Sequence, residues 1–295
     1  MTGESENKGE SFKLRERFLP LPSREDGYRS VLMIGTFGAG KTTTIRMMCD
    51  LIRPTSGRVL VLGSDPRRDG ATLRQRIGYL PGELRLDERL TPSEALAFFS
   101  NLRGVPVKPA LELAERFDLP LDRKIGELSR GNKQKVGIVQ AFAHDPDLVI
   151  LDEPTSGLDP ILQRSFQELL TDRVGSGLTA FMSSHVLSEL QQVATVVGMV
   201  KDGRLLAVRT VEEMSREAPH KVQVKFTGPP PAGFLDGIDG IRDVEVDGAT
   251  VRLLSTGPMD RLVKALAEHE IVELHSTEPD LEETFLRLYE DGPSS

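Results

Sequence analysis

One cysteine, Cys49, stands among 295 residues. A lone thiol excludes an intramolecular disulfide framework and fits a reducing compartment. Long apolar runs are missing as well: no window approaches the roughly 18–20 consecutive apolar residues of a membrane span. The opening Met1 to Glu10 is polar and acidic. It lacks the basic stretch followed by an apolar one that marks a signal peptide. Any membrane contact is therefore expected to run through a partner. Positive charge is also short, with 37 Lys and Arg against 45 Asp and Glu and a net charge of -8. The signs are interspersed, so no basic face is expected and no nucleic acid is expected among the partners.

What remains is an ordinary balance of 38% hydrophobic and 28% charged residues, enough for a large domain and a small one. Through about residue 215, strand patterns alternate with helix patterns, which predicts an α/β fold with a largely parallel sheet. Val31 to Ile34 reads as a buried strand. Lys41 to Ile52 reads as a helix with Ile45, Met48 and Ile52 on its core face and Arg53-Pro54 as its stop. Strands are also predicted at Arg58 to Leu62, Leu148 to Leu151 and Leu178 to Ser183.

Composition breaks near Ala218-Pro219, and Gly228-Pro229-Pro230-Pro231 follows. Val222, Val224 and Phe226 alternate as in a half-buried strand. Val244 and Val246, Asp247-Gly248, then Val251 and Leu253 read as a hairpin. A helix over Met259 to Glu268, a strand over Ile271 to Leu274 and a last helix over Pro279 to Tyr289 complete a small α+β domain. The expected division is thus 1–30, 31–218 and 219–295.

Gly35-Thr36-Phe37-Gly38-Ala39-Gly40-Lys41-Thr42 matches the phosphate-loop pattern, and it sits where that pattern requires, after a strand and opening a helix. Glycines let backbone N–H groups converge on phosphate oxygens, and the helix start adds its positive end. Thr43 follows in the same helix. Lys41 is expected on the β and γ phosphates, and the Thr42 hydroxyl on Mg²⁺. Leu148 to Leu151 then delivers Asp152 as a second Mg²⁺ ligand, while Glu153 is placed to orient or deprotonate water. Cys49 is read as a small core residue, and His144, His220, His269 and His275 as structural histidines.

Three further stretches carry a resemblance. Leu128-Ser129-Arg130-Gly131-Asn132-Lys133-Gln134 resembles the signature motif of ABC ATPases. Leu151-Asp152-Glu153-Pro154-Thr155-Ser156-Gly157-Leu158-Asp159-Pro160 resembles their Walker B and D-loop, and Ser183-Ser184-His185 their H-loop. With the phosphate loop, these motifs run in the family's order across residues 35–185. The resemblance implies a P-loop fold with a helical signature subdomain, two ATP molecules sandwiched between two copies of the chain, and hydrolysis that drives a membrane permease. It places Ser129 and Gly131, before a helix over about Asn132 to Ala143, on the γ-phosphate held by the opposite protomer. It puts Asp159 at that interface and His185 on the γ-phosphate. Residues 219–295, with Thr277 to Phe285 near the end, resemble the accessory domain of ABC-2-type drug and antibiotic efflux ATPases. The implied place is the cytoplasm, on the inner face of the membrane.

Two departures stand out. After Tyr79-Leu80-Pro81, where the family has glutamine, come Gly82 and Glu83. Residues 1–30 do not read as the family's opening β-hairpin with an adenine-stacking aromatic; Phe12, Phe18 and Tyr28 are the aromatics available there. These departures favour a rival reading, a nucleotide sensor with weak turnover, while Glu153 and His185 oppose it. A soluble ABC ATPase acting on ribosomes or DNA is disfavoured, because paired cassettes and long coiled-coil insertions are absent.

Overall fold

A computed structural model describes residues 30–187, 192–256, 259–277 and 281. Phe12, Phe18, Tyr28 and the helix expected over Pro279 to Tyr289 therefore lie outside the described residues, Leu281 apart. The chain divides into two compact units, Met1–Val208 and Arg209–Ser295. That boundary falls ten residues before the composition break at Ala218-Pro219.

The first unit opens with β1 (Ser30–Ile34), α1 (Lys41–Met48), α2 (Gly70–Gln75) and β2 (Ile77–Leu80). Three helices follow, α3 (Pro92–Arg103), α4 (Lys108–Arg116) and α5 (Arg130–Phe142). Then come β3 (Leu148–Asp152), α6 (Pro160–Gly175), β4 (Thr179–Ser184), β5 (Val196–Lys201) and β6 (Arg204–Thr210). The six strands form one sheet in the order β2-β3-β4-β1-β5-β6, and the pairs from β2 through β5 are parallel. Parallel strands covered on both faces are apolar throughout rather than alternating. Accordingly every residue of β1 and β3 is buried.

Helix ends follow local chemistry. Thr91 and Glu94 close a capping box around Pro92 at the start of α3, and Gly104, at φ 69°, ends it. Ser129 caps α5 and Asp159 caps α6, each side chain accepting from a backbone N–H of the first turn. α3, α4 and α5 pack on one another, and α5 also packs on β2. This is the helical subdomain that the family resemblance implied. The approach of α5 to β2 needs Gly78, since a Cβ there would lie 1.9 Å from the Ala141 carbonyl oxygen.

Two expectations are corrected. The first helix stops at Met48, not Ile52, because Asp50 takes a left-handed φ of 55°. Its N–H donates to Met47 O and the Leu51 N–H to Arg46 O. This pair of bonds is a Schellman ending, which closes the helix before Arg53-Pro54 is reached. Ile52 is consequently exposed at 38%, while Ile45 and Met48 are buried. Arg58 to Leu62 is not a strand among the described residues. Val61 makes an isolated bridge with Ser64, and Leu62 turns at φ 50°.

The second unit holds α7 (Val211–Glu217), β7 (His220–Phe226), β8 (Ile241–Asp247), β9 (Thr250–Ser255), α8 (Asp260–Ala267) and β10 (Ile271–Thr277). Its four strands run antiparallel in the order β10-β7-β9-β8. The β8–β9 hairpin turns at Asp247-Gly248, as its sequence predicts, with Gly248 at φ 59°. Val222, Val224, Phe226, Val251 and Leu253 line one face of the sheet and pack with Leu262 and Leu266 of α8.

Candidate functional site

Parallel register places the site. β4 lies between β1 and β3, with Ile34 opposite Ser184 and Asp152 opposite Ser183. The residues that leave these strands, Gly35, Glu153 and His185, therefore emerge along one edge of the sheet. A crevice outside the carboxyl ends of parallel strands is the usual ligand position in such folds.

From β1 the chain enters the phosphate loop. A Cβ on Gly35 would fall 2.3 Å from the Val200 carbonyl oxygen, so the neighbouring strand leaves room for glycine alone. Gly38 and Gly40 take φ of 79° and 107°, the region that L side chains avoid. Gly40 is also the N-cap of α1 and offers no side-chain cap, so the first-turn N–H groups face outward for an anion. Ala39 is buried and folds its N–H back onto Thr36 O at 3.2 Å. Lys41 is only 6% exposed. Its ammonium donates to Gly35 O at 2.6 Å and Thr36 O at 3.3 Å, inside the arc of the loop.

Beside the loop stand the oxygen groups. Asp152, 2% exposed, accepts on Oδ1 from Ser183 Oγ at 2.6 Å and from Thr42 Oγ1 at 3.2 Å. Glu153 turns away from β3 with a φ of 50°. Its N–H donates to Ser183 O at 3.1 Å and Ser183 Oγ at 3.2 Å, which fixes the turn. The Glu153 carboxylate then bridges two cationic or donor groups. Oε1 lies 3.5 Å from Lys41 Nζ, and Oε2 lies 2.7 Å from His185 Nδ1.

Lys41, Thr42, Asp152, Glu153 and His185 are thus joined in one network with the loop of Gly35 to Thr43. Ser129, Gly131 and Asp159 sit elsewhere in the contact pattern. Ser129 Oγ accepts from Asn132 N at 3.3 Å, and a Cβ at Gly131 would meet open space. Asp159 Oδ1 accepts from Leu162 N at 2.9 Å. Between them, Arg130 reaches Ser156 Oγ at 3.4 Å, and Gln134 donates to Pro154 O at 3.3 Å. The start of α5 is therefore tied to the loop that follows Glu153.

Some residues around the site make contacts that the sequence does not reveal. Ser183 serves Asp152 and the Glu153 turn together; its signal was the second serine before His185. Gly82 lies against the Asp152 carboxylate, where a Cβ would sit 3.4 Å from Oδ2. Cys49 and Tyr79 pack against the core beneath the loop. Burial pushes both the Cys49 thiol and the Tyr79 hydroxyl up to about 12, and the charge of Asp152 adds to each rise. A thiol held protonated is unreactive, in keeping with a structural Cys49.

Comparison with known proteins agrees with this geometry. A family model described as ABC transporter matches residues 27–156. The bacitracin transport ATP-binding protein BcrA of Bacillus licheniformis is 33% identical over 271 residues, covering 88% of each chain. The daunorubicin resistance ATP-binding protein DrrA3 of Streptomyces coeruleorubidus is 32% identical over 274 residues, 88% of this chain and 86% of that one. Among solved structures, an ATP binding subunit of an ABC transporter superposes with a TM-score of 0.59 at 30% identity, covering 64% of this chain and 81% of its own. With its motifs, parallel sheet and helical subdomain matching relatives along most of their length, the chain belongs to the ATP-binding proteins of the ABC transporter family and is an ATPase.

Proposed function

We propose that the chain powers an exporter: two copies close around two ATP molecules, and hydrolysis reopens them to drive a separate ABC-2-type permease. The observation that carries this reading is the network in which Glu153 joins Lys41 and His185 beside the Thr42–Asp152 pair. The relatives' names, bacitracin transport and daunorubicin resistance, support the direction of transport and the class of cargo. Among the described residues no helix is long and apolar enough to cross a membrane, so a partner would have to supply the channel. Action on the inner face of the membrane, through that partner, follows from the same reading.

The roles follow from the donors and acceptors. Lys41 supplies a buried ammonium, with backbone N–H groups of the loop, to the β and γ phosphates of ATP. A hydroxyl and a carboxylate 3.2 Å apart are hard oxygen donors, and they fit Mg²⁺, which takes one or two carboxylates plus substrate phosphates. Thr42 and Asp152 would hold that ion, which neutralises phosphate charge when bound. Ser183 keeps the Asp152 carboxylate turned toward Thr42. Glu153 orients the attacking water and takes its proton, and His185 donates to the terminal phosphate. Ser129 and Gly131, at the start of a 13-residue helix, add a second positive helix end for the phosphate bound by the other copy. Asp159 lies at that contact. The sensing alternative gains nothing from a site whose base and histidine are already in hydrogen-bond reach.

The test of the shared site is assembly. Glu153→Gln keeps size and hydrogen bonding but removes the base, so ATP should stay bound and shift the protein from monomer to dimer in light scattering. Adding Ser129→Arg should block the shift while leaving ATP affinity near normal. If the double variant loses ATP binding instead, Ser129 serves the chain's own site and the two-copy arrangement is wrong.

A further inference from the structure

An exposed phenyl ring stands in the phosphate loop. Phe37 is 81% exposed, yet its ring meets that of His185 with centroids 4.8 Å apart and planes tilted by 38°. Lys41 Nζ lies 6.0 Å from the same ring centroid. The contacts close a circuit of four side chains: Phe37 to His185, His185 Nδ1 to Glu153 Oε2 at 2.7 Å, Glu153 Oε1 to Lys41 Nζ at 3.5 Å, and Lys41 back to Phe37. A phosphate loop binds through backbone N–H groups, so nothing in phosphate cradling calls for a phenyl there. A large apolar side chain left in water is unfavourable unless it packs on something. In this structure its aromatic partner is His185.

We propose that Phe37 is a positioning residue for hydrolysis, a ring that backs the His185 imidazole and sets which nitrogen faces the phosphate. The proposal rests on the role given to His185 above. The terminal torsion of a histidine is broad and roughly two-fold, so the imidazole needs outside contacts to hold one orientation. Glu153 takes Nδ1, and the phenyl packs against the imidazole at a tilt of 38°. Nε2, on the far side of the imidazole, is then presented outward as the group that meets the terminal phosphate. Tilted aromatic pairs at this spacing are attractive beyond the area they bury. A role as the platform for the adenine is disfavoured by position: the ring lies at the Glu153 end of the site, where water and the terminal phosphate meet, not at the base end of the nucleotide.

The experiment uses the full-length chain with ¹³C-labelled histidine, the His185 signal being assigned by its loss in His185→Gln. Phe37→Leu keeps apolar bulk and removes the ring; Phe37→Tyr keeps the ring. The ring current of Phe37 should displace the His185 Cε1–H signal in the wild type and in Phe37→Tyr, and Phe37→Leu should return it toward the position of an exposed histidine. Steady-state turnover of Phe37→Leu should fall in kcat by ~2- to 10-fold, as an aromatic pair of ordinary strength allows, with KM for ATP little changed. Phe37→Tyr should restore it. Melting temperatures should match, because the side chain is exposed. An unmoved His185 signal overturns the proposal, as does a rise in KM with kcat unchanged, which would make Phe37 a binding residue. Normal turnover in His185→Gln would instead sink the role of His185, while the wild-type His185 signal would still show the ring-current shift from Phe37.

Discussion

The two sheets of this molecule solve burial in opposite ways. In the first unit, β1 and β3 are buried at every position and apolar apart from Ser30 at the start of one and Asp152 at the end of the other, so the polar residues collect where the strands end. In the second unit, β7 alternates, with Val222, Val224 and Phe226 buried and Lys221 and Lys225 exposed. One apolar face and α8 suffice for its core. The first arrangement converts strand register into a line of functional groups at the carboxyl edge: Gly35, Glu153 and His185. The second produces a packed apolar face and, among the described residues, no comparable convergence of chemistry. Catalysis is therefore expected to be sensitive to single changes in the first unit and indifferent to packing losses in the second.

The largest effect should come from Lys41→Ala. Removing the buried ammonium leaves β and γ phosphate charge uncompensated. Turnover should fall by at least about 100-fold, the scale of losing one preorganised charge-stabilising donor, and nucleotide affinity should fall with it. Near-normal hydrolysis by this variant would break the assignment of the loop. A paired stability experiment comes next. Gly78→Ala forces a Cβ to within 1.9 Å of Ala141 O. Overpacking of this kind costs about 1–3 kcal/mol or more, and here it strikes the junction of β2 and α5, so turnover should drop together with melting temperature. Leu253→Ala removes a side chain that is 3% exposed in the second core, at about 2–5 kcal/mol. It should raise hydrogen exchange in residues 220–277 while leaving turnover of the still-folded first unit nearly intact. Equal damage to hydrolysis by both variants would contradict the contrast drawn between the two sheets.

A smaller effect should appear with pH. Burial first, and then the Arg103 charge, push His144 down from 6.5 to about 4. As pH falls through 6.5 the unfolded chain takes this proton, whereas the folded chain takes it only near 4. The unfolded state thus binds more protons in that window, and stability declines as pH drops through it. Discounted for the partial exposure of the ring, the loss is about 1 kcal/mol. Denaturant midpoints measured from pH 7 to 4 should fall less steeply in His144→Gln than in the wild type.

Much of this was legible in the sequence where local pattern and tertiary demand coincide. The phosphate loop, the Leu148 to Leu151 strand and the hairpin at Asp247-Gly248 all carry their own signals: glycines in a fixed pattern, a short apolar run, alternation. Where a local signal competed with another, the reading slipped. Arg53-Pro54 looked like the helix stop, but Asp50 accepted a left-handed conformation and ended α1 earlier. Arg58 to Leu62 has the composition of a strand, yet pairing depends on a neighbour that no local pattern reveals. The links around Asp152, from Ser183 and beside Gly82, join residues 31 and 70 positions apart, so only register and close packing bring them together.

The measurement closest to the central claim is ATP binding and hydrolysis by Glu153→Gln in the same preparation. The carboxylate that touches both Lys41 and His185 is the residue on which the proposed site turns. The expected result is ATP affinity close to the wild type, with turnover lower by about 100-fold or more, the range of a general base. Hydrolysis at the wild-type rate with ATP bound would show that the base lies elsewhere and would contradict the account.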